Sequence, residues 1–283
     1  MGHIPVMTKE VMTYLQIKKG GRYVDSTLDG GGHAREILKI AGSRAIVLGI
    51  EQDHEIVKSI RQKNIERLIV EEGNYIHMKD YVQKHKISDI DGILFDFGVS
   101  SWHLDESGRG FSFKNNEPLD MRFSQKEGTK SAAELINSLT KTQLANIFKN
   151  YGQESRANLV AEAIVSARRK RRIMTSGQLI KIIEKVIPRG KKHPATKIFQ
   201  ALRIAVNREL DMIRKGLEAA MQMVTPGGRV VAISFHSLED KIVKEMFRSR
   251  GAVITKKPII PCLEEIFSNP RSRSAKLRAW ENS

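Results

Sequence analysis

Over the first hundred residues, short apolar and β-branched runs alternate with amphipathic stretches, a pattern that predicts parallel βαβ units. Strands are expected at Arg22–Asp25, Ala45–Ile50, near Arg67–Glu71 and at Gly92–Asp96, with helices at His33–Ile40 and near His54–Lys63. Ala45–Ile50 is almost continuously apolar, as suits a strand buried on both faces. From about Leu104 to Val206 the strand pattern disappears, and amphipathic segments at Ser131–Ser138, Gln143–Asn150 and Ala157–Arg169 predict helices. Strand patterning returns at Gly228–Ser234, after a helix over Glu209–Met223 and the turn residues Pro226, Gly227 and Gly228. A helix over Ser237–Arg248 and strands at Ala252–Thr255 and near Ala275–Trp280 follow. The expected fold class is α/β: a Rossmann-like doubly wound sheet over 1–103 and 207–283, split by an inserted all-α domain over 104–206.

Composition narrows this picture without changing it. With 40% hydrophobic and 28% charged residues in 283, the chain reads as globular, and no apolar run approaches the roughly 18 residues of a spanning helix. The single Cys262 excludes an intramolecular disulfide framework or a multi-thiolate zinc site, and a cytoplasmic location is expected. Charge adds more. Lys and Arg number 48 against 32 Asp and Glu, a net +16 that calls for a polyanionic partner. Residues 161–200 alone hold eleven Lys and Arg against two Glu, with Arg168, Arg169, Lys170, Arg171 and Arg172 in one run. The insertion is therefore expected to grip phosphates.

After the first strand comes Asp25-Ser26-Thr27-Leu28-Asp29-Gly30-Gly31-Gly32-His33, a glycine-rich turn feeding a helix. It lacks the G-x-G-x-x-G spacing that seats a pyrophosphate on a helix N-terminus, and its two carboxylates would repel one. A cationic ligand suits it better. Glu51 ends the second strand, where sheets of this kind place an acid on ribose hydroxyls. Asp96 ends the fourth strand and should point into the same crevice. Acids beside a glycine turn, an acid after strand two and no phosphate cradle together point to S-adenosylmethionine, a nucleoside with a sulfonium.

Eight segments in order then carry a resemblance. They are His3-Ile4-Pro5-Val6-Met7, the Gly-Gly-Gly-His turn, Phe95-Asp96-Phe97-Gly98-Val99-Ser100-Ser101, Arg109-Gly110-Phe111-Ser112-Phe113, Pro118-Leu119-Asp120-Met121-Arg122, the run His193 to Asn207, Ile233 to Asp240, and Asn269-Pro270-Arg271-Ser272-Arg273-Ser274. The chain resembles the RsmH (MraW) family over nearly its whole length. The resemblance implies a class I S-adenosylmethionine-dependent methyltransferase that modifies the exocyclic N4 amine of a cytidine in the decoding region of 16S rRNA, with the small ribosomal subunit as partner. It further implies cofactor contacts at Gly31, Gly32, His33, Glu51, Tyr75, Asp96 and His103. Three of these depart from the family's usual residues: Glu51 stands for Asp, Tyr75 for Phe, and His103 for Gln.

The residues themselves leave some roles open. Methylating an aromatic amine requires the nitrogen to be held in line with the methyl, and no metal, nucleophile or membrane is called for. Asp96 is the expected acceptor for the amine. His236, followed by Glu239 and Asp240, reads equally as part of an acid/base site or as a residue of a strand-to-helix turn in which Ser237 or Asp240 caps or charges the next helix. Ser100, Arg109, Phe111 and Phe113 lie after the fourth strand and read either as substrate contacts, with aromatics stacking on an extruded base, or as anchors of the insertion. The alternative function is a catalytically silent rRNA-binding assembly factor on the same scaffold. Oligomeric state leaves no mark in the sequence.

Overall fold

The structure, a computed structural model, describes residues 4–125, 128–188, 190 and 193–283. The chain forms two compact units, Met1–Gly98 with Leu210–Ser283, and Val99–Glu209.

The first unit alternates helices and strands: α1 (Thr8–Leu15), β1 (Arg22–Asp25), α2 (Gly32–Ala41), β2 (Ile46–Glu51), α3 (His54–Gln62), β3 (Leu68–Glu72), α4 (Met78–Lys84) and β4 (Ile90–Asp96). The second unit contributes α5 (Ser101–Asp105), α6 (Ala132–Ser138), α7 (Lys141–Asn150), α8 (Ala157–Lys170), α9 (Ser176–Ile183) and α10 (Thr196–Asn207). The first unit resumes with α11 (Glu209–Met223), β5 (Val224–Ser234), α12 (Ser237–Ser249), α13 (Leu263–Ser268) and β6 (Lys276–Glu281).

The six strands form one sheet in the order β3-β2-β1-β4-β5-β6, parallel except for β6, which runs antiparallel to β5. The order reverses between β1 and β4, so the crevice for a ligand lies beyond the carboxyl ends of that pair. The central strands are apolar on both faces: Val47, Leu48 and Ile50 of β2 and Ile93, Leu94 and Phe95 of β4 are fully buried. Helix α11 lays Ile213, Leu217 and Ala220 into the same core. At Pro226–Gly228 the β4–β5 register shifts, Ile90 facing Val224 but Gly92 facing Arg229. Gly227 takes a φ of +74°, and a Cβ on Gly228 would meet the Thr225 carbonyl at 2.8 Å.

One expected strand is absent. Around Ala252–Thr255 the structure has only an isolated bridge from Val253 to Trp280. Gly251 at φ +100° turns the chain so that the Val253 amide bonds back to the Gly251 carbonyl, and the run meets β6 without forming a ladder.

In the second unit helices start where side chains satisfy the first free amides. Ser131 with Glu134, Thr140 with Gln143 and Thr175 with Gln178 form capping boxes at α6, α7 and α9. Its core gathers Phe148, Val160, Ile164, Leu179, Ile198 and Leu202. No strand occurs there among the described residues, only the bridge from Pro118 to Thr175. Among the described residues of the whole chain, no helix is long and apolar enough to cross a membrane.

Candidate functional site

Asp25, Glu51 and Asp96 each stand at the carboxyl end of a strand, on β1, β2 and β4, which are neighbours in the sheet. The β1 and β4 ends are stitched together by the Ser26 amide donating to the Leu94 carbonyl at 2.9 Å. The Asp96 amide donates to Thr27 Oγ1 at 2.7 Å. Thr27 thereby fixes the backbone of Asp96, a role that its place inside the glycine-rich turn did not announce.

The turn itself needs its glycines. Gly31 precedes α2 at φ +73°, and a Cβ on Gly32 would sit 2.9 Å from the Pro5 ring. Residues 4–7 cross the turn at that close distance. They are held by His33 Nε2, which bonds the Val6 carbonyl at 2.9 Å, by Asn269 Nδ2 donating to the Ile4 carbonyl, and by the Met7 amide donating to Glu265 Oε1. His33 is thus locked, with Nδ1 facing Asp96 Oδ2 at 3.9 Å.

These acids crowd one another away from water. Burial pushes the Asp25 carboxyl up to about 7, with the Asp29 carboxylate adding to the effect. Burial likewise raises Glu51 to about 8, helped by the charges of Asp29 and Asp53. Asp96 is raised well above its ordinary value by burial and then by Asp29, Asp25 and Glu239. Glu51 is well supplied with donors: Oε1 accepts from the Gln52 and Asp53 amides at 2.8 and 2.9 Å, and Oε2 from the Asp29 amide at 3.0 Å. Asp25 Oδ2 and Asp96 Oδ1 have no hydrogen-bond partner among the described residues. Two orphaned, buried carboxyl oxygens at one crevice mark a place where donors and positive charge are to be supplied from outside.

Tyr75, just after β3, stands edge-on to Phe95 at 5.5 Å between ring centroids. A Cβ on Gly216 of α11 would lie 2.5 Å from the Tyr75 ring, so only glycine lets the ring sit there. Gly98 packs on Phe235 less closely, where a Cβ would lie 3.0 Å from the ring. Neither the Pro5–Gly32 nor the Tyr75–Gly216 contact is visible in a local pattern; a glycine in mid-helix at 216 is the one sequence signal for the second.

His236 has a structural task. It is the N-cap of α12, where Nδ1 accepts from the Glu239 amide at 3.3 Å while Glu239 Oε2 accepts from the His236 and Phe235 amides. The strand-to-helix turn read from sequence is present, with Asp240 adding charge in the first turn, but the cap is His236 itself and not Ser237 or Asp240. Asp240 meanwhile pairs with Arg278 at 2.7 Å.

The remaining predicted residues lie in the second unit. Ser100 caps α5 by accepting from the Trp102 amide. His103 is buried in an aromatic cluster, its ring 4.8 Å from Phe111 and 5.0 Å from Phe123. Phe111 is buried as well, stacked on Phe123, and Arg109 is buried with its guanidinium donating to the Arg122 and Phe123 carbonyls and lying over the Trp102 ring. In this structure Arg109 and Phe111 are anchors of the loop. Phe113 is half-buried and stacked on His193 at 4.5 Å. Asp120 and Arg122 form a two-pronged ion pair at 2.6 and 2.8 Å. Arg168 donates to the Ile136 carbonyl, whereas Arg169, Lys170, Arg171 and Arg172 are exposed at the C-terminal end of α8. Of the other basic residues counted in 161–200, Arg189, Lys191 and Lys192 lie outside the described residues, as does His3 of the first motif. Cys262 is exposed.

An open sheet with this strand order, acids at the ends of β1, β2 and β4 and no phosphate cradle belongs to the nucleoside-binding class that includes the methyltransferases. The family model described as the MraW methylase family matches residues 1–283. The chain is 43% identical over 290 residues to the ribosomal RNA small subunit methyltransferase H of Dictyoglomus thermophilum, covering 99% of this chain and 96% of that protein. Its counterparts from Deinococcus radiodurans and Acetivibrio thermocellus are 44% and 40% identical, over 99% of this chain and 90% and 98% of theirs. The chain belongs to the MraW methylase family. It is an enzyme, and the reading as a silent scaffold falls away.

Proposed function

We propose that this enzyme transfers a methyl group from S-adenosylmethionine to the N4 amine of a cytidine in the decoding region of 16S rRNA, acting in the cytoplasm on the small ribosomal subunit. The names of its relatives support the rRNA substrate. The observation that carries the cofactor assignment is the pair of buried, unpartnered oxygens, Asp25 Oδ2 and Asp96 Oδ1, in a crevice of three raised carboxyl groups. A ligand bearing a sulfonium and an ammonium answers both the missing donors and the missing charge, so the residues fit the cofactor.

When bound, S-adenosylmethionine supplies an electrophilic methyl on sulfur. Gly31 and Gly32 let the ligand approach the backbone, Glu51 retains lone pairs for ribose hydroxyls, and Tyr75 offers a ring for the adenine. Asp25 and Asp96 bring the negative charge that a cation requires, and that cation in turn lowers their pKa values toward the ionised form. Asp96 Oδ1 would accept from the amine N–H, holding the nitrogen in line and offsetting the positive charge that grows as the N–C bond forms and the S–C bond breaks, and the amine proton would then pass to the Asp96 carboxylate. Locking of the Asp96 backbone by Thr27, and the fixed ring of His33, keep that oxygen aimed.

The second unit serves RNA. Arg169 to Arg172, aided by Arg168, contact phosphates, Ser100 and Phe113 contact the RNA, and Arg109 and Phe111 hold their stretch of chain in shape. Asp96→Ala is the direct test: turnover is expected to fall by at least 100-fold, as for lost transition-state contacts. Full activity with normal cofactor affinity would overturn the assignment.

A further inference from the structure

Among the described residues one aromatic ring is fully in water. Phe267 of α13 is 92% exposed, with Leu263 one turn earlier at 84% and Ile260 at 66%. Every other Phe, Tyr and Trp is buried or half-buried. The platform beneath the ring is nevertheless rigid. Ser268 Oγ donates to the Glu264 carbonyl, the Asn269 amide bonds the Glu265 carbonyl, and Glu265 and Asn269 are themselves tied to Met7 and Ile4. The turn that follows, Pro270–Ser274, buries Ser272, whose Oγ and amide both donate to the Asn269 carbonyl. With Ser272 turned inward, Arg271 and Arg273 on either side of it are exposed.

We infer that this edge of the first unit, Phe267 with Arg271 and Arg273, is a second RNA-binding site, in which the ring stacks on an unpaired base and the two guanidinium groups take flanking phosphates. An exposed aromatic interleaved with arginines is the arrangement that holds single-stranded nucleic acid, since every base has a π-face and every linkage a charge. Charge selects this occupant over a second copy of the chain. Lys256, Lys257, Arg271, Arg273 and Lys276 outnumber Glu264 and Glu265 along this segment, and a two-fold contact would press like charges together. The inference rests on the rRNA methyltransferase reading but uses residues apart from the cofactor crevice.

The test is steady-state methylation of unmethylated 16S rRNA and small subunits by Phe267→Ala, Phe267→Leu and Phe267→Trp. Stacking predicts a KM for RNA roughly 5- to 150-fold higher in the Ala variant, with the loss on KM and not kcat. Leu should resemble Ala, and Trp should restore the wild-type value and show fluorescence quenching on RNA addition. A Leu variant that matches wild type, or an Ala variant with unchanged KM and an altered sedimentation coefficient, would overturn the inference in favour of an apolar protein contact. If the wild-type enzyme methylates neither substrate, the functional reading fails instead.

Discussion

Asp25, Glu51 and Asp96 share one crevice, and their raised pKa values make a prediction that belongs to single residues. Each carboxyl holds its proton more tightly folded than unfolded, so the stability each contributes is complete below its unfolded value, near 4, and is lost as pH rises through its folded value. For Asp25 and Glu51 those folded values are about 7 and about 8. The cofactor-free enzyme is therefore expected to lose thermal stability as pH rises from about 4 to about 8, whereas the lowered carboxyls Glu71 and Asp120 cost stability only as pH falls below that range. Asp25→Asn should flatten that slope. Binding the cationic cofactor lowers these pKa values, so it should release protons near neutral pH, seen calorimetrically as heat that varies with buffer ionisation enthalpy. Binding without proton release would contradict the electrostatic account. At this scale the sequence was informative where chain order supplies the logic: acids at the ends of predicted strands are the acids of the crevice. It was silent where the contact is distant, as with Pro5 on Gly32 or Met7 on Glu265, because residues 27 and 258 apart leave no local pattern.

Two elements carry predictions of their own. The first is α12, whose N-terminus is capped by His236. His236→Ala is expected to cost about 1 kcal/mol, or a Tm lower by about 2–4 °C, and His236→Asn, a good N-cap, should restore it along with turnover. An Asn variant as stable as wild type but inactive would place His236 in the chemistry. The second is α8, where Arg169, Lys170, Arg171 and Arg172 project from the helix C-terminus, the end at which cations are favoured by the helix dipole. Replacing all four with Gln should reduce the slope of log affinity for rRNA against log salt by up to about 3. An unchanged slope would return them to an ordinary solvated surface. Strands β1 to β5 were legible because buried parallel strands are apolar runs, and α6 to α8 because amphipathic spacing and caps reinforce each other. Ala252–Thr255 failed because β-branched composition says nothing about Gly251, whose backbone turns the run out of register. Arg109 and Phe111 were ambiguous for a similar reason, since composition cannot tell a ring that packs from one that stacks on a base.

For the whole molecule, the excess of sixteen positive charges has come to mean more than a polyanionic partner. The first unit concentrates negative charge at the carboxyl ends of its sheet, where a cationic cofactor is called for, while exposed arginines lie on α8 of the second unit and on the Pro270–Ser274 turn of the first. Under the proposed function, opposite signs serve different tasks within one basic chain: acids for the methyl donor, bases for the RNA. The proposed transfer to a cytidine amine depends on Asp96. The measurement that tests it most directly is mass spectrometry of nucleosides from unmethylated small subunits incubated with the enzyme and methyl-labelled S-adenosylmethionine. Label is expected in N4-methylcytidine, confined to a decoding-region fragment, and is expected to be lost with Asp96→Ala. Label on a ring carbon, on a ribose, or in another fragment would contradict it.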